Sequence, residues 1–362
     1  MASLRPCPLR HILLLLVALL CGCCAAHPPA APDTGAPRED PDRREPPSEG
    51  VAAVLGGAYL PTLRSLVAGA REELLAVHFE LNDDDLGDAV VEELAAAAGR
   101  GVRVRVLLEG DVDANTSRVA ELRGRGVEAK LDGPARYTHA KLVVVDRRAA
   151  LLGSTNWSWM SVHRNNEADV LVTDPVLAGF FAQVAGTLWA APAAAVDAPV
   201  TRTSNGVALS DGDYVPHAQE LIAAAQTRIC LIVYGLNPNP RYPDSDVFQL
   251  LDALAAARDR GADVRVILEW AGYGAEVNEV NELAVEALLQ RGLAVRFDPA
   301  DVITHAKVLL ADDEAIVGSN NWGHGGFHLY HEVGLRTAEP TVVTALEAFC
   351  DGLWEAGVSP SG

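Results

Sequence analysis

The chain has 362 residues, nearly half of them apolar, which is enough for one large or two medium domains with a substantial core. Its formal charge is −20, and removing the first fifty residues, with five Arg against six Asp and Glu, still leaves −19. So acidic a body speaks against a non-specific nucleic-acid binder, although a local positive pocket is compatible with it.

In chain order, Arg5 and Arg10 precede a short apolar run, Ile12 to Leu20, and then small residues and cysteines up to Ala26. A charged n-region, a short h-region and small residues predict an export signal over 1–26, too short for a comfortable membrane span. Leu20-Cys21-Gly22-Cys23 also resembles a lipobox, with Cys23 as the lipidated residue. Lipidation and ordinary cleavage both remain open, with a retained anchor third. Residues 27–50 are Pro-rich, carry mixed charge and read as a disordered tether. The predicted location is outside the cytoplasm: periplasmic, membrane-anchored as a lipoprotein, or secreted.

From residue 51 the chain reads as a duplication. Leu66–Asn82 aligns with Leu221–Asn237, and the stretch ending at Glu109 with the one ending at Glu269. Each half predicts the same order. A helix opens near Pro61 or Pro216, where proline suits a first turn. An apolar strand follows, over Leu74–Phe79 or Ile229–Tyr234. Next comes an Ala-rich helix ended by Gly101 or Gly261, then a β-branched strand, Val102–Leu108 or Val264–Leu268, buried on both faces. A second helix, ended by Gly126 or Gly292, and a short strand lead into a hairpin. One more strand and a closing helix, near Pro175–Leu188 or Pro340–Trp354, complete the half. The expected architecture is α/β: two halves at 51–190 and 213–362, mixed sheets covered by helices, a small polar linker at 191–212, and pairing about a pseudo-twofold axis with one shared cleft. A monomer suffices for that arrangement.

The hairpin carries the most specific pattern. Thr138–Glu167 contains His139, Lys141, Asp146, Ser154, Asn156 and Glu167; Thr304–Glu332 contains His305, Lys307, Asp312, Ser319, Asn321 and Glu332. The register slips by one residue between the aspartate and Gly-Ser, which makes Asp313 a competitor for the second aspartate. The chain holds only three lysines, at 130, 141 and 307, and two of them lie two residues after these histidines. Where every other basic residue is Arg, those positions call for a compact ammonium on a flexible stem.

His and Lys two apart on a strand share a face. Pairing the halves gathers two imidazoles, two ammoniums and two Asn amides, a constellation suited to a phosphodiester. Lys141, Lys307, Asn156 and Asn321 bind non-bridging oxygens, with Ser154 and Ser319 supporting the pocket. One neutral imidazole attacks phosphorus and the other protonates the leaving oxygen. Glu167 and Glu332 orient the imidazoles through Nδ1. Asp146 and Asp312 fix the hairpin. No cofactor or metal is required, and no cysteine spacing suggests a metal site.

The pattern H-x-K-x(4)-D with a trailing G-S-x-N, present twice, resembles the phospholipase D superfamily, including its cardiolipin synthase-like members. The resemblance covers about Leu60 to Trp354. It implies the paired α/β fold, a phosphohistidine intermediate and metal-independent chemistry, with His139 as nucleophile and His305 as general acid. It further implies a phospholipid or other phosphodiester substrate. The rival readings are an exported nuclease, a cardiolipin synthase-like transferase and a phosphate-binding protein without activity. Nucleic acid is disfavoured by the acidic body.

Other residues carry weaker expectations. Trp157 and Trp322 read as pocket packing. His163, His324, His328 and His331 read as solvent-facing loop residues or cleft rim. Arg136 and Tyr137 either touch a headgroup or pack at the surface. Glu109 and Glu269 either border the cleft or serve a turn or ion pair. Asn237–Asp246 has no close match in the first half and is a candidate specificity loop or a plain insertion. Cys230 and Cys350 read as two buried thiols, or as a disulfide formed after export that sequence alone does not pair.

Overall fold

Two open sheets of unequal size carry the duplication in the computed structural model, which describes residues 50–270 and 275–360. The segment read as an export signal, Cys23 and all but the last residue of the stretch read as a tether lie outside the described residues. The first half contains β1 (Val51–Leu55), α1 (Tyr59–Gly69), β2 (Glu73–His78), α2 (Asp85–Gly99), β3 (Arg103–Leu108), α3 (Asp113–Gly124), β4 (Glu128–Leu131), β5 (Tyr137–Thr138), β6 (Lys141–Val145), β7 (Ala149–Gly153), α4 (Trp159–His163), β8 (Ala168–Val172) and α5 (Pro175–Ala190). The second contains β9 (Thr201–Thr203), β10 (Gly206–Ser210), α6 (Tyr214–Ala224), β11 (Arg228–Val233), α7 (Asp246–Asp259), β12 (Asp263–Leu268), α8 (Ala275–Gln290), β13 (Ala294–Phe297), β14 (Lys307–Ala311), β15 (Glu314–Gly318), β16 (Tyr330–His331), β17 (Val333–Thr337) and α9 (Pro340–Ala356).

The sheet orders are β1-β8-β7-β6-β2-β3-β4 and β13-β12-β11-β14-β15-β17-β10-β9. In each, three parallel strands linked by helices continue into antiparallel hairpin strands. The crossover helices cover one face and α5, α9 and the shared core the other, so the central strands are apolar throughout rather than alternating. Alternation instead sorts the apolar residues between two cores. Leu142 and Val144 of β6 face a core shared by both halves, while Val143 and Val145 face the core under the first half's outer helices. The shared core also takes α5 and α9. Gly101 and Gly261, at φ +91° and +102°, turn the chain out of α2 and α7 into the next strand, a conformation that costs glycine no Cβ clash.

Two expectations are corrected here. The stretch read as linker contains β9 and β10, so the second half begins with a strand, β10, equivalent to β1, and β9 adds a further edge strand outside it. β10 pairs with β17 as β1 pairs with β8. A short run on a sheet edge carries little local signal, because its partner lies more than a hundred residues away. The bland reading of Cys230 and Cys350 as free thiols also gives way, since the two form a disulfide. Cys230 stands on the inner side of β11 and Cys350 on α9, and both sit in the shared core.

The one-residue slip is explained by the hairpins. Asp146, Arg147 and Arg148 separate β6 from β7, whereas only Asp312 and Asp313 separate β14 from β15. Asp146 accepts the N–H groups of Arg71, Glu72 and Glu73 at 2.7–2.9 Å. Asp312 accepts those of Gln226, Thr227 and Arg228 at 2.7–3.0 Å and the Thr227 hydroxyl at 2.5 Å. Asp312, not Asp313, therefore occupies the place equivalent to Asp146, and each aspartate staples its hairpin to the start of the neighbouring strand. Burial acts to raise the Asp312 carboxyl, but Thr227 and the three N–H donors outweigh it and bring it down to about 2. A depressed carboxyl contributes stability that is present above its ordinary pKa and lost as pH falls through the native one. Asp312→Ala should therefore cost about 2 kcal/mol at pH 7, read from the denaturant midpoint. The deficit should shrink as the pH approaches 2, and a constant deficit would contradict the assigned bonds.

Candidate active site

The two halves are zipped together at the motif itself. β5 and β16 pair in parallel, Tyr137 with Tyr330 and Thr138 with His331. The equivalent contact, Asn166 with Thr304, is a single bridge. The His139 N–H donates to the His331 carbonyl at 3.0 Å, and the His305 N–H to the Asn166 carbonyl at 2.9 Å. Each acceptor immediately precedes a motif glutamate. The backbone thus delivers the glutamate of one half to the histidine of the other.

The side chains complete that exchange. His139 Nδ1 lies 2.9 and 3.1 Å from the two Glu332 oxygens, and His305 Nδ1 lies 3.1 Å from Glu167 Oε2. All four groups are buried. Lys141 Nζ donates to the His139 carbonyl at 2.6 Å, and Lys307 Nζ makes the same bond to His305. Phe79 underlies Lys141 at 4.8 Å and Tyr234 underlies Lys307 at 5.2 Å, with the same rings packed on the histidines. Sequence reasoning missed this aromatic floor. Its signal was present, since Phe79 and Tyr234 are aligned positions of the repeat.

Electrostatics follow from burial. Desolvation, with Lys141 and Lys307 adding, holds His139 well below its ordinary range. Desolvation brings His305 down to about 4 despite the pull of Glu167. Both imidazoles are therefore uncharged in the free site at neutral pH. Burial also lowers Lys141 to about 8 and Lys307 to about 7, against the opposing pull of Glu332 and Glu167. The glutamates diverge. Burial acts to raise Glu167, but His305, Lys307 and the Ser154 hydroxyl (2.6 Å) outweigh it and hold the carboxyl low. Burial raises Glu332 to about 8, opposed by Lys141, Ser319 and Lys307, with Asp211 adding to the rise.

Asp211 is a third residue that sequence reasoning passed over, because it fell in the supposed linker. It is buried, has φ +43°, and accepts the Glu332 N–H at 3.2 Å. Its carboxyl also lies 3.1–3.3 Å from His331 Nδ1. That corrects the reading of His331 as a solvent-facing or rim residue: it is fully buried, and its Nε2 lies 2.8 Å from the Pro192 carbonyl. His163, His324 and His328 are exposed.

Ser154 and Ser319 each accept the N–H of the residue after a motif glutamate, at 2.9 and 3.0 Å. Asn321 accepts the Gly235 N–H at 3.2 Å. Asn156 Oδ1 is buried with no hydrogen-bond partner among the described residues, and a half-turn of the amide exchanges that acceptor for a donor. Trp157 and Trp322 are core residues bonded to Tyr59 and Tyr214. Arg136 bonds the His328 carbonyl at 3.0 Å, and Tyr137 packs on Tyr330.

Known proteins resemble this chain in sequence and in fold. A family model described as "Cardiolipin synthase, PLD-like domain" matches residues 63–189 and 219–354, more than half of the chain. The human mitochondrial cardiolipin hydrolase is 37% identical over 113 residues, 31% of this chain and 42% of that protein. The Chlamydomonas reinhardtii mitochondrial cardiolipin hydrolase is 34% identical over 113 residues, 31% of this chain and 48% of that protein. Cardiolipin synthase A of Pseudomonas putida is 28% identical over 326 residues, 81% of this chain and 66% of that protein. The chain thus spans about half the length of the hydrolases it matches. In fold it resembles phosphatidylserine synthase of Haemophilus influenzae, with a TM-score of 0.69 at 13% identity over 86% of this chain and 87% of that one. The chain, with one motif in each half and both matched by the family model, belongs to the phospholipase D superfamily.

Proposed function

We propose that this protein is a metal-independent phosphodiesterase that cleaves a glycerophospholipid between phosphate and headgroup through a phosphohistidine. The observation that carries this reading is the crossed pairing, in which each buried imidazole is held at Nδ1 by the other half's glutamate. With the Nδ1 proton directed to Glu332, His139 Nε2 keeps its lone pair for phosphorus. The P–O bond to the headgroup breaks as the P–N bond forms, and the leaving oxygen takes a proton from His305 Nε2. A bound phosphodiester anion offsets Lys141 and Lys307, which lets His305 carry that proton; the well-ionised Glu167 stabilises the imidazolium. His305, now neutral, takes a proton from water as its oxygen attacks phosphorus and releases His139. Asn156 and Asn321 supply further donors to the non-bridging oxygens.

Lipid is the favoured substrate because the relatives are named for cardiolipin chemistry and the body is acidic. Export is the reading favoured by the signal-like composition of residues 1–26 and by the disulfide, a bond that persists in oxidising compartments. Transfer to an alcohol is the second reading, favoured by the alignment with cardiolipin synthase A over 81% of the chain. Residues 51–362 with EDTA are offered vesicles of cardiolipin or phosphatidylglycerol, and separately single- and double-stranded DNA. Headgroup release supports hydrolysis, and a new lipid formed with added glycerol supports transfer. Nicked DNA beside untouched lipid overturns the lipid reading.

The lysines set a pH limit. Loss of the Lys307 and Lys141 protons removes the charge that binds the phosphodiester, so kcat/KM should fall as pH rises through about 7 to 8. A soluble p-nitrophenyl phosphodiester, whose own charge is fixed over that range, measures this directly. A flat profile to pH 9 would contradict the inferred role of the buried ammoniums.

A further inference from the structure

Behind each histidine lies a second carboxyl pair that the phosphodiester chemistry does not use. Glu109 follows β3 and Glu269 follows β12, and both are buried. Glu109 Oε2 accepts the N–H of Thr138, and Glu269 Oε2 accepts that of Thr304 at 2.5 Å. These threonines immediately precede His139 and His305. An aspartate faces each glutamate from the end of the next strand: Asp132 beyond β4 and Asp298 beyond β13. Asp132 Oδ1 accepts the Gly110 N–H at 2.6 Å, and Asp298 Oδ1 the Trp270 N–H at 2.7 Å.

The arrangement leaves an oxygen over on each aspartate. Glu269 Oε1, Asp298 Oδ2 and Asp132 Oδ2 are buried with no other hydrogen-bond partner among the described residues. Facing carboxyl groups largely withdrawn from solvent do not both ionise readily. A single proton held between them satisfies both. Both halves carry the device, so it serves something the halves have in common, and in each half the residue next to the clamped threonine is the motif histidine.

We propose that Glu109 and Glu269 are positioning residues: each is locked by a proton shared with its aspartate and fixes the backbone from which the reacting imidazole projects. The kinetic part of this inference rests on the phosphodiesterase reading. The other groups around Glu109 are Asp111, whose N–H it accepts at 3.0 Å, and Tyr137, whose phenol burial and then Glu109 push up to about 12. Lys307 is the cation acting on Glu269. Burial, then the aspartate, brings Glu109 to about 7 and Glu269 to about 9. A raised carboxyl contributes stability that is full below its ordinary pKa and lost as pH rises through the native one. The first half therefore loosens before the second.

Glu269→Gln tests this in residues 51–362. Its amide oxygen still accepts from Thr304 and its NH2 donates to Asp298, so the shared proton becomes permanent. Glu269→Ala removes the clamp. Glu269→Gln should keep kcat near wild type at pH 7 and hold it better at pH 9. Glu269→Ala should lose about tenfold or more in kcat with KM little changed, because the imidazole is misplaced rather than the substrate released. Stability should fall between pH 6 and 9 in the wild type and stay flatter in Glu269→Gln. Equal kcat in Glu269→Ala and wild type, or equal loss in both variants, overturns the proposal. If the wild type turns over no phosphodiester, the functional reading fails by itself, and the clamp is then judged by the His305 ring resonances in a proton–carbon spectrum. They should move in Glu269→Ala and not in Glu269→Gln; unmoved resonances in Glu269→Ala overturn it.

Discussion

His139→Ala and His305→Ala should each lower kcat on phospholipid by roughly 10⁴-fold or more, and a reactive leaving group should separate them. p-Nitrophenolate leaves without a proton. His305→Ala therefore still forms the phosphohistidine from a nitrophenyl phosphodiester and should release one equivalent of nitrophenolate in a burst. It then stalls, because no base activates water. His139→Ala lacks the attacking nitrogen and should give no burst. A burst from His139→Ala and none from His305→Ala reverses the assignment, and near-wild-type turnover in either variant defeats the mechanism. The glutamate asymmetry agrees with attack by His139 and proton transfer by His305. Glu167, held low beside His305, suits a site where positive charge must develop. Glu332, raised beside His139, offers less stabilisation to a positive charge there, and burial with Lys141 and Lys307 keeps that imidazole uncharged.

The second large effect concerns stability. Replacing Cys230 and Cys350 with Ser should lower unfolding free energy by roughly 3–5 kcal/mol, since the bond closes a loop of 120 residues. The readout is the denaturant midpoint with and without a reductant that has reached the buried bond. Wild type should fall to the variant's value on reduction, and the variant should not respond. Two titratable thiols in unfolded, unreduced residues 51–362, which hold only Cys230 and Cys350, would show that the bond does not form. The first half places Leu75 and Ala185 at the equivalent positions, both in the shared core. The disulfide therefore reinforces the strand beside His305 and has no counterpart beside His139. Activity on a soluble diester should persist in the double Ser variant well below its melting temperature.

Much of the fold was legible in sequence because the chain states it twice. A lone His-x-Lys is weak, but aligned helices, strands and turn glycines on either side leave little freedom in assigning the architecture. The strand positions followed from apolar runs buried on both faces. What stayed hidden depended on distance in sequence. The short strands β9 and β10 are held by pairing, β10 on β17 and β9 on β10, and their own residues look like linker. Asp211 and His331 were misplaced or missed with them. The cysteine pairing needed the third dimension, as did the role of Glu109 and Glu269, whose partners sit on neighbouring strands. That each motif glutamate serves a histidine was readable from chemistry. Which histidine it serves was not, because local spacing treats both halves alike.

The crossed pairing has a consequence for how such a protein is inherited. A lone copy of either half holds a histidine with no carboxylate behind it and a carboxylate with nothing to orient. A substitution that removes either glutamate therefore strikes the histidine of the opposite half, so the two copies are coupled at their centres. The connection between them, now reduced to 191–200, does not create the contact but fixes the concentration at which one copy meets the other. A single copy of this motif becomes complete only by meeting its twin, and this chain has made that meeting permanent by covalent means.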